Sequence, residues 1–339
     1  MDFPSISVVI PTLNAEKSLK RCLKSLVEQE YPKDKIELIV VDGGSTDATL
    51  RVAKLYKAKI RPNPLRTGEA GKAVGVKSAT GELVAFIDSD NILPHHDWLQ
   101  RMVEPLKDPR IVGSEPWRYS WRAFDGFITR YCALIGMNDP MVLFLGNYDR
   151  MSMLTGRWTD LPIRQRDRGN WIDVILEGSS IPTIGANGTI LRRRILDNEI
   201  KGADYLFDID MLATLASRHP VHFAKVKVGI VHIYCGSSVT TFIRKQRRRV
   251  LDYLYYRKIG VRTYPWQEHN KRGVIQFTFA CLTVIPLFYQ VIKGYMRKPD
   301  AAWFFHPLAC WLTFVIYVTG TVRAMFKVVE MVRTDWSQS

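Results

Sequence analysis

Cysteine is scarce in this chain and poorly spaced for chemistry. The five residues, Cys22, Cys132, Cys235, Cys281 and Cys310, are scattered and form no C-x-x-C pair. Neither a disulfide framework nor a zinc site is expected from them. Acidic residues are also few: 33 Asp and Glu face 48 Lys and Arg, a formal charge of +15. That excess predicts an anionic partner, either nucleic acid, a phosphorylated substrate or anionic lipid. The opening MDFPSISVVI lacks a basic n-region and reads as a strand rather than a signal peptide. No internal repeat or low-complexity tract interrupts the sequence. The apolar stretch Phe124 to Leu145 is broken by Arg130, Asp139 and Pro140, so it reads as a core helix or an interfacial one rather than a span.

What is present begins with two uncharged apolar stretches near the C-terminus, 274–292 (VIQFTFACLTVIPLFYQVI) and 301–322 (AAWFFHPLACWLTFVIYVTGTV). Each is near the ~20 residues that cross a hydrocarbon core, and the short loop between them predicts a transmembrane helical hairpin. Pro286 and His306 leave a pair of buried or re-entrant helices open. Arg257, Lys258, Arg262, Lys271 and Arg272 precede the first stretch and outweigh the loop cations Lys293, Arg297 and Lys298. The positive-inside rule therefore places residues 1–272 and the tail in the cytoplasm, a multi-pass arrangement. On that side the sequon Asn187-Gly188-Thr189 is a chance match. With the charge clustered beside apolar stretches, anionic lipid is a simpler partner than nucleic acid.

Residues 6 to 90 alternate between apolar strands and amphipathic helices: ISVVIPTLN, Glu16 to Glu30, IELIVVDGGS, Thr46 to Tyr56, about Gly71 to Ala79, then LVAFIDSDN. This βα alternation with continuous apolar strands predicts an α/β fold with a mostly parallel sheet covered on both faces. In such sheets ligands bind at the carboxyl ends of strands, where Asn14, Asp42 and Asp88 fall. The strand LVAFI stops at Asp88-Ser89-Asp90. Buried carboxylates need compensation, and hard oxygen ligands on a short turn suit Mg²⁺ or Mn²⁺. Taken alone, the same pair also fits a turn or a helix cap.

In order, SVVIPTLNAE, LIVVDGGSTDAT, GKAVGVKSATGELVAFIDSD, IGANGTILRRRIL and FDID resemble the family-2 inverting glycosyltransferases of GT-A fold, over roughly residues 5 to 235. The resemblance implies a nucleotide-sugar donor, a divalent cation and inversion at the anomeric carbon. It puts Pro11, Thr12 and Glu16 at the nucleotide and Asp42 at the ring N–H of a uracil or guanine, so a UDP- or GDP-linked donor. Lys72 falls where the diphosphate is held, with Ala73 replacing a customary Asn. Asp90 is implied as a direct metal ligand, Asp88 as a ligand or a ribose contact, and His232 as an additional ligand or a core histidine. Adjacent His95 and His96 read as solvated loop residues. Asp208 aligns with the catalytic base, although Phe207 replaces the family's Glu and Asp204 or Asp210 remain alternatives. FIRKQRRRV resembles the Q-x-x-R-W signature of membrane synthases through Gln246 and Arg249, as acceptor or headgroup contacts, with Val250 where Trp would stand. Its helical spacing also fits an interfacial helix.

The expected organisation is a GT-A domain over 1–235, a basic interfacial segment over 236–272, two spans over 273–323 and a cytoplasmic tail over 324–339. The expected activity is metal-dependent transfer of a sugar to a lipid-linked or polyprenyl-phosphate acceptor at the cytoplasmic membrane face. A processive polysaccharide synthase and a non-catalytic membrane protein that binds nucleotide sugars are the alternatives.

Overall fold

A computed structural model describes residues 3–326 except 179, 186, 200, 201 and 265–270, together with residue 328. The first half builds the expected alternation: β1 (Ile6–Thr12), α1 (Glu16–Val27), β2 (Ile36–Asp42), α2 (Thr49–Leu55), β3 (Lys59–Pro62), α3 (Gly68–Ser78), β4 (Leu83–Phe86) and the two-residue β5 (Asn91–Ile92). There follow α4 (Trp98–Val103), β6 (Ile111–Ser120), α5 (Phe127–Ile135), α6 (Met141–Leu145), β7 (Arg164–Asp167), β8 (Trp171–Leu176) and β9 (Thr189–Arg192). Next come α7 (Arg193–Glu199), α8 (Asp208–Arg218) and the long β10 (Val221–His232). Helices α9 (Val239–Lys258), α10 (Lys271–Thr283), α11 (Ile285–Arg297) and α12 (His306–Phe326) complete the described chain.

The strands form one ten-stranded sheet in the order β3-β2-β1-β4-β9-β6-β10-β8-β7, with β5 paired to β10. β3, β2, β1 and β4 are mutually parallel, as is the β6–β10 pair, whereas β9 runs antiparallel between β4 and β6. The apolar runs of β1, β2 and β4 are buried on both faces because helices cover them, α1 and α2 on one side and α3 on the other. α3 lies unusually close to β1. A methyl group on Gly75 would stand 2.1 Å from Val9 Cγ1, and one on Gly71 2.9 Å from Pro11 Cβ. Gly75→Ala is therefore expected to lower stability by about 1–2 kcal/mol, overpacking outweighing the better helix propensity of alanine. Unchanged or raised stability in a urea titration would contradict this packing.

One expectation needs correcting and another is narrowed. The stretch 274–292 is not a straight span: α10 and α11 meet at 95°. Pro286, at the second position of α11, has no N–H for the carbonyl four residues earlier, and Val284 at φ 62° turns the chain. Among the described residues one helix, Ala301–Phe326, is long and apolar enough to cross a membrane, and the bent pair counts as a second only if taken as one broken span. The described residues thus show one unbroken apolar helix of spanning length, and a hairpin of two straight spans is not confirmed. The stretch Phe124 to Leu145 is a core element: α5 is buried along most of its length, and Gly136 at φ 78° ends it before α6. Most of the tail, residues 327 and 329–339, lies outside the described residues.

Candidate functional site: a carboxylate and histidine cluster at the strand ends

The sheet order reverses direction between β1 and β4, and the crevice at that point gathers the expected site residues. Thr12 and Asp42 end β1 and β2 directly opposite one another. Among the described residues Thr12 Oγ1 is buried with no hydrogen-bond partner, so it is available to a ligand. Asp42 Oδ2 accepts from the backbone N–H groups of Gly44 (2.9 Å) and Ser45 (3.0 Å), and Ser45 Oγ donates to Oδ1. This Asx turn shapes the loop, while Oδ1, which accepts one bond, keeps a further lone pair for a base imide. Pro11 packs beneath Gly71, and Glu16 opens α1 half-buried, its N–H donating to Asp47 (3.2 Å).

Beyond β4 the acidic loop folds back on itself. The Asp88 N–H donates to Asn91 Oδ1 (3.1 Å) and the Asn91 N–H to the Asp88 carbonyl (2.9 Å). β5 then pairs antiparallel with the end of β10, placing His232 opposite Asn91. One ligand atom each from Asp88, Asp90 and His232 lie within 4.8 Å of one another. His232 Nε2 is 3.3 Å from Asp90 Oδ1, and Lys245 Nζ 3.5 Å from Asp90 Oδ2. Burial and the neighbouring Asp90 push the Asp88 carboxyl up, against the pull of His232 and Lys72. Burial would raise Asp90 too, but His232 and Lys245 hold it well below the ordinary carboxylate range. Two crowded carboxylates with a nearly buried imidazole and few donors to satisfy them form a donor set that fits Mg²⁺ or Mn²⁺.

Lys72, buried on α3, bonds directly to Asp208 Oδ2 at the start of α8. Burial would lower the Lys72 ammonium, but Asp208 and Glu69 hold it above its usual value. Burial pushes the Asp208 carboxyl up, opposed by Lys72, and its Oδ1 is buried without a partner among the described residues. The other two carboxylates differ sharply. Asp204 is exposed, whereas Asp210 is fully engaged by Arg262 (2.8 Å) and the N–H groups of Thr263 (2.6 Å) and Tyr264 (2.8 Å). Asp210 thus fastens the chain after α9 to α8.

On α9, Gln246 is wholly buried. Its Nε2 donates to the Asn138 carbonyl (2.8 Å), and Arg249 Nη1 donates to Gln246 Oε1 (2.7 Å) and to the same carbonyl (3.3 Å). The pair clamps the 138–139 turn, which Tyr317 of α12 also grips through Asp139. Val250 faces Gly320, where a Cβ would approach it to 2.9 Å, so a tryptophan there would meet α12 rather than an acceptor sugar. The histidines of the 95–96 loop bind main chain: the His95 carbonyl accepts from Gln29 (2.9 Å) and His96 Nδ1 lies 2.8 Å from the Glu28 carbonyl. Lys245 and Asn138, at the carboxylate and histidine cluster, were not singled out by the sequence. Lys245 adjoins Gln246, but nothing local marks its reach to Asp90.

This crevice, lined by strand ends and an acidic loop, defines a GT-A fold. Over 94% of this chain and 88% of the other, the structure is similar to mannosyltransferase PcManGT from Pyrobaculum calidifontis, solved with GDP-Man and Mn²⁺, at a TM-score of 0.51 and 17% identity. Residues 7–148 match the family described as Glycosyl transferase family 2, and the chain carries a domain of that family. Two curated relatives are similar in this region. The poly(ribitol-phosphate) beta-N-acetylglucosaminyltransferase TarS of Staphylococcus aureus is 40% identical over 44% of this chain and 25% of its own length. The dolichyl N-acetyl-alpha-D-glucosaminyl phosphate 3-beta-D-2,3-diacetamido-2,3-dideoxy-beta-D-glucuronosyltransferase of Methanococcus voltae is 35% identical over 33% of this chain and 36% of its own length. The chain therefore matches about a quarter to just over a third of the length of these two relatives.

Proposed function

We propose that this chain is a metal-dependent inverting glycosyltransferase that moves a sugar from a UDP- or GDP-linked donor to a lipid-linked acceptor at the cytoplasmic membrane face. The observation that carries this reading is the convergence of Asp88, Asp90 and His232 within 4.8 Å, beside a buried Lys72–Asp208 pair. Asp88, Asp90 and His232 would hold the divalent cation, which supplies Lewis-acid neutralisation of charge on the leaving diphosphate. Lys72 adds a fixed positive charge on the same side. When the donor diphosphate draws the Lys72 ammonium toward itself, Asp208 is released to accept the proton of the attacking hydroxyl. Thr12 and Asp42 orient the nucleoside at the ends of β1 and β2.

Support for a lipid-borne acceptor comes from the C-terminal helices. Ile275, Phe279, Leu282, Phe288, Ile292 and Met296 of the bent pair are exposed, an outward apolar face of the kind that marks a membrane or partner contact. α9, packed against α12, carries Arg244, Arg247, Arg248 and Arg257, and basic surface combined with apolar surface favours anionic headgroups. The dolichyl-linked substrate in the name of the Methanococcus voltae relative agrees with this reading.

The test is a screen of nucleotide sugars for thermal stabilisation of the full chain in detergent, with and without Mn²⁺. One donor is expected to raise Tm only with the metal, and Asp90→Ala is expected to remove that rise; a ligand at a hundred times its Kd adds about 2.7 kcal/mol. No responding donor, or an undiminished response in Asp90→Ala, would sink the proposal. Polyprenyl phosphate-linked sugars and polyol-phosphate polymers are then compared as acceptors, and turnover of the polymer alone would reject the lipid.

A further inference from the structure

His232 can serve a cation through Nε2 only if the ring proton sits on Nδ1, and that proton then needs an acceptor. The hydrogen-bond partner Nδ1 has is the side-chain amide of Asn138, with Nδ2 at 3.2 Å. In that orientation the amide donates, Nδ1 accepts, and Nε2 keeps the proton that faces Asp90 at 3.3 Å. Meanwhile Asn138 Oδ1 is buried with no partner among the described residues. Half a turn of the amide brings this oxygen to Nδ1 and leaves the Nε2 lone pair free.

We infer that Asn138 is a positioning residue for the metal centre: its amide donates to His232 when the site is empty and accepts the Nδ1 proton when a cation is bound. The inference rests on the metal reading of Asp88, Asp90 and His232 above. The surroundings suit the role. Gly136 ends α5 and turns the chain toward the site, and the Asn138 carbonyl is held by Gln246 (2.8 Å) and Arg249 (3.3 Å). The backbone of residue 138 is thereby fixed while its amide is left to rotate. Tyr119 and Tyr234 flank the imidazole with ring centroids 5.7 and 5.6 Å away, so the ring itself has little room to turn and the amide must do so.

The experiment titrates Mn²⁺ into the full chain in detergent, following free ion by electron paramagnetic resonance. Asn138→Leu, which can neither donate nor accept, is expected to weaken Mn²⁺ binding about 10–100-fold. Asn138→Asp, which can only accept, is expected to bind at least as tightly as the parent. In the parent, ¹⁵N shifts of His232 recorded with diamagnetic Mg²⁺ should move from the Nε2–H to the Nδ1–H form on binding. On a His232→Ala background, Asn138→Leu should add no further loss. Parent-like affinity in Asn138→Leu, or equal weakening in Leu and Asp variants of parental Tm, would overturn the inference. If His232→Ala binds Mn²⁺ as tightly as the parent, the metal reading itself fails, and the role of Asn138 fails with it.

Discussion

Asp208→Asn is expected to lower the transfer rate about 10²–10⁴-fold, the range typical of a lost general base, with the donor still bound. Asparagine keeps the shape and still offers Lys72 an oxygen, so the packing at the start of α8 survives; what disappears is the ability to take up a proton. The pH profile adds a second signature. A base works when deprotonated, and burial pushes the Asp208 carboxyl up. The parent's rate should therefore rise with pH along a limb lying above the ordinary carboxylate range, and that limb should vanish in Asp208→Asn. Saturating-donor rates across pH read both effects. A variant within tenfold of the parent with the same limb would move the role elsewhere, although exposed Asp204 and fully bonded Asp210 are poorly suited to it.

Arg150→Met is expected to destabilise the fold by about 3–5 kcal/mol, the usual effect of removing one partner from a buried ionic network. Arg150 is wholly buried and bonds Glu115 (2.5 Å) and the Asn187 carbonyl (3.0 Å), while Lys225 Nζ lies 2.6 Å from the other Glu115 oxygen. Without Arg150, Glu115 keeps Lys225 as its remaining cationic bond. Burial already pushes the Glu115 carboxyl up to about 7. Its folded state thus holds a proton that the unfolded chain has released, so this group's contribution to stability improves as pH falls from about 7 toward the ordinary Glu value. The deficit in the variant should shrink along the same window. Denaturant titrations at two pH values measure it, and a loss below about 1 kcal/mol would mean the network carries little. Because Asn187 Oδ1 also accepts from Asn91 Nδ2 (3.0 Å), weaker Mn²⁺ binding should accompany the loss.

The N-terminal part of the fold was legible because its code is local. Apolar runs of strand length ending at Thr12, Asp42 and Asp88 state both the strand and the edge where a ligand sits, and α1 shows its buried face at helical spacing. The bend at Val284 was legible only as an alternative: Pro286 left a re-entrant pair open, but hydropathy, which sums side chains, does not register the one missing N–H that breaks the helix. The site was legible only in parts. Asp88 and Asp90 share a turn, but the contact of Lys72 with Asp208 and of Asn138 with His232 joins segments with no common spacing. Likewise Gln246 and Arg249 read as surface groups on a basic helix, yet packing against α12 turns them inward onto the 138–139 turn.

The pairing of β5 with the end of β10 has a kinetic corollary. Asn91 and His232 are joined across the intervening strands, with β10 seated between β6 and β8 along its earlier residues. Such long-range pairing is slow to form. A nascent chain that has made β1 to β4 already displays its acidic loop, yet it has no imidazole beside it and no Asp208 opposite Lys72. Cation capture and proton removal would thus mature together, late, as a single closing event of the sheet, and partly folded chains would be unable to squander an activated sugar on water.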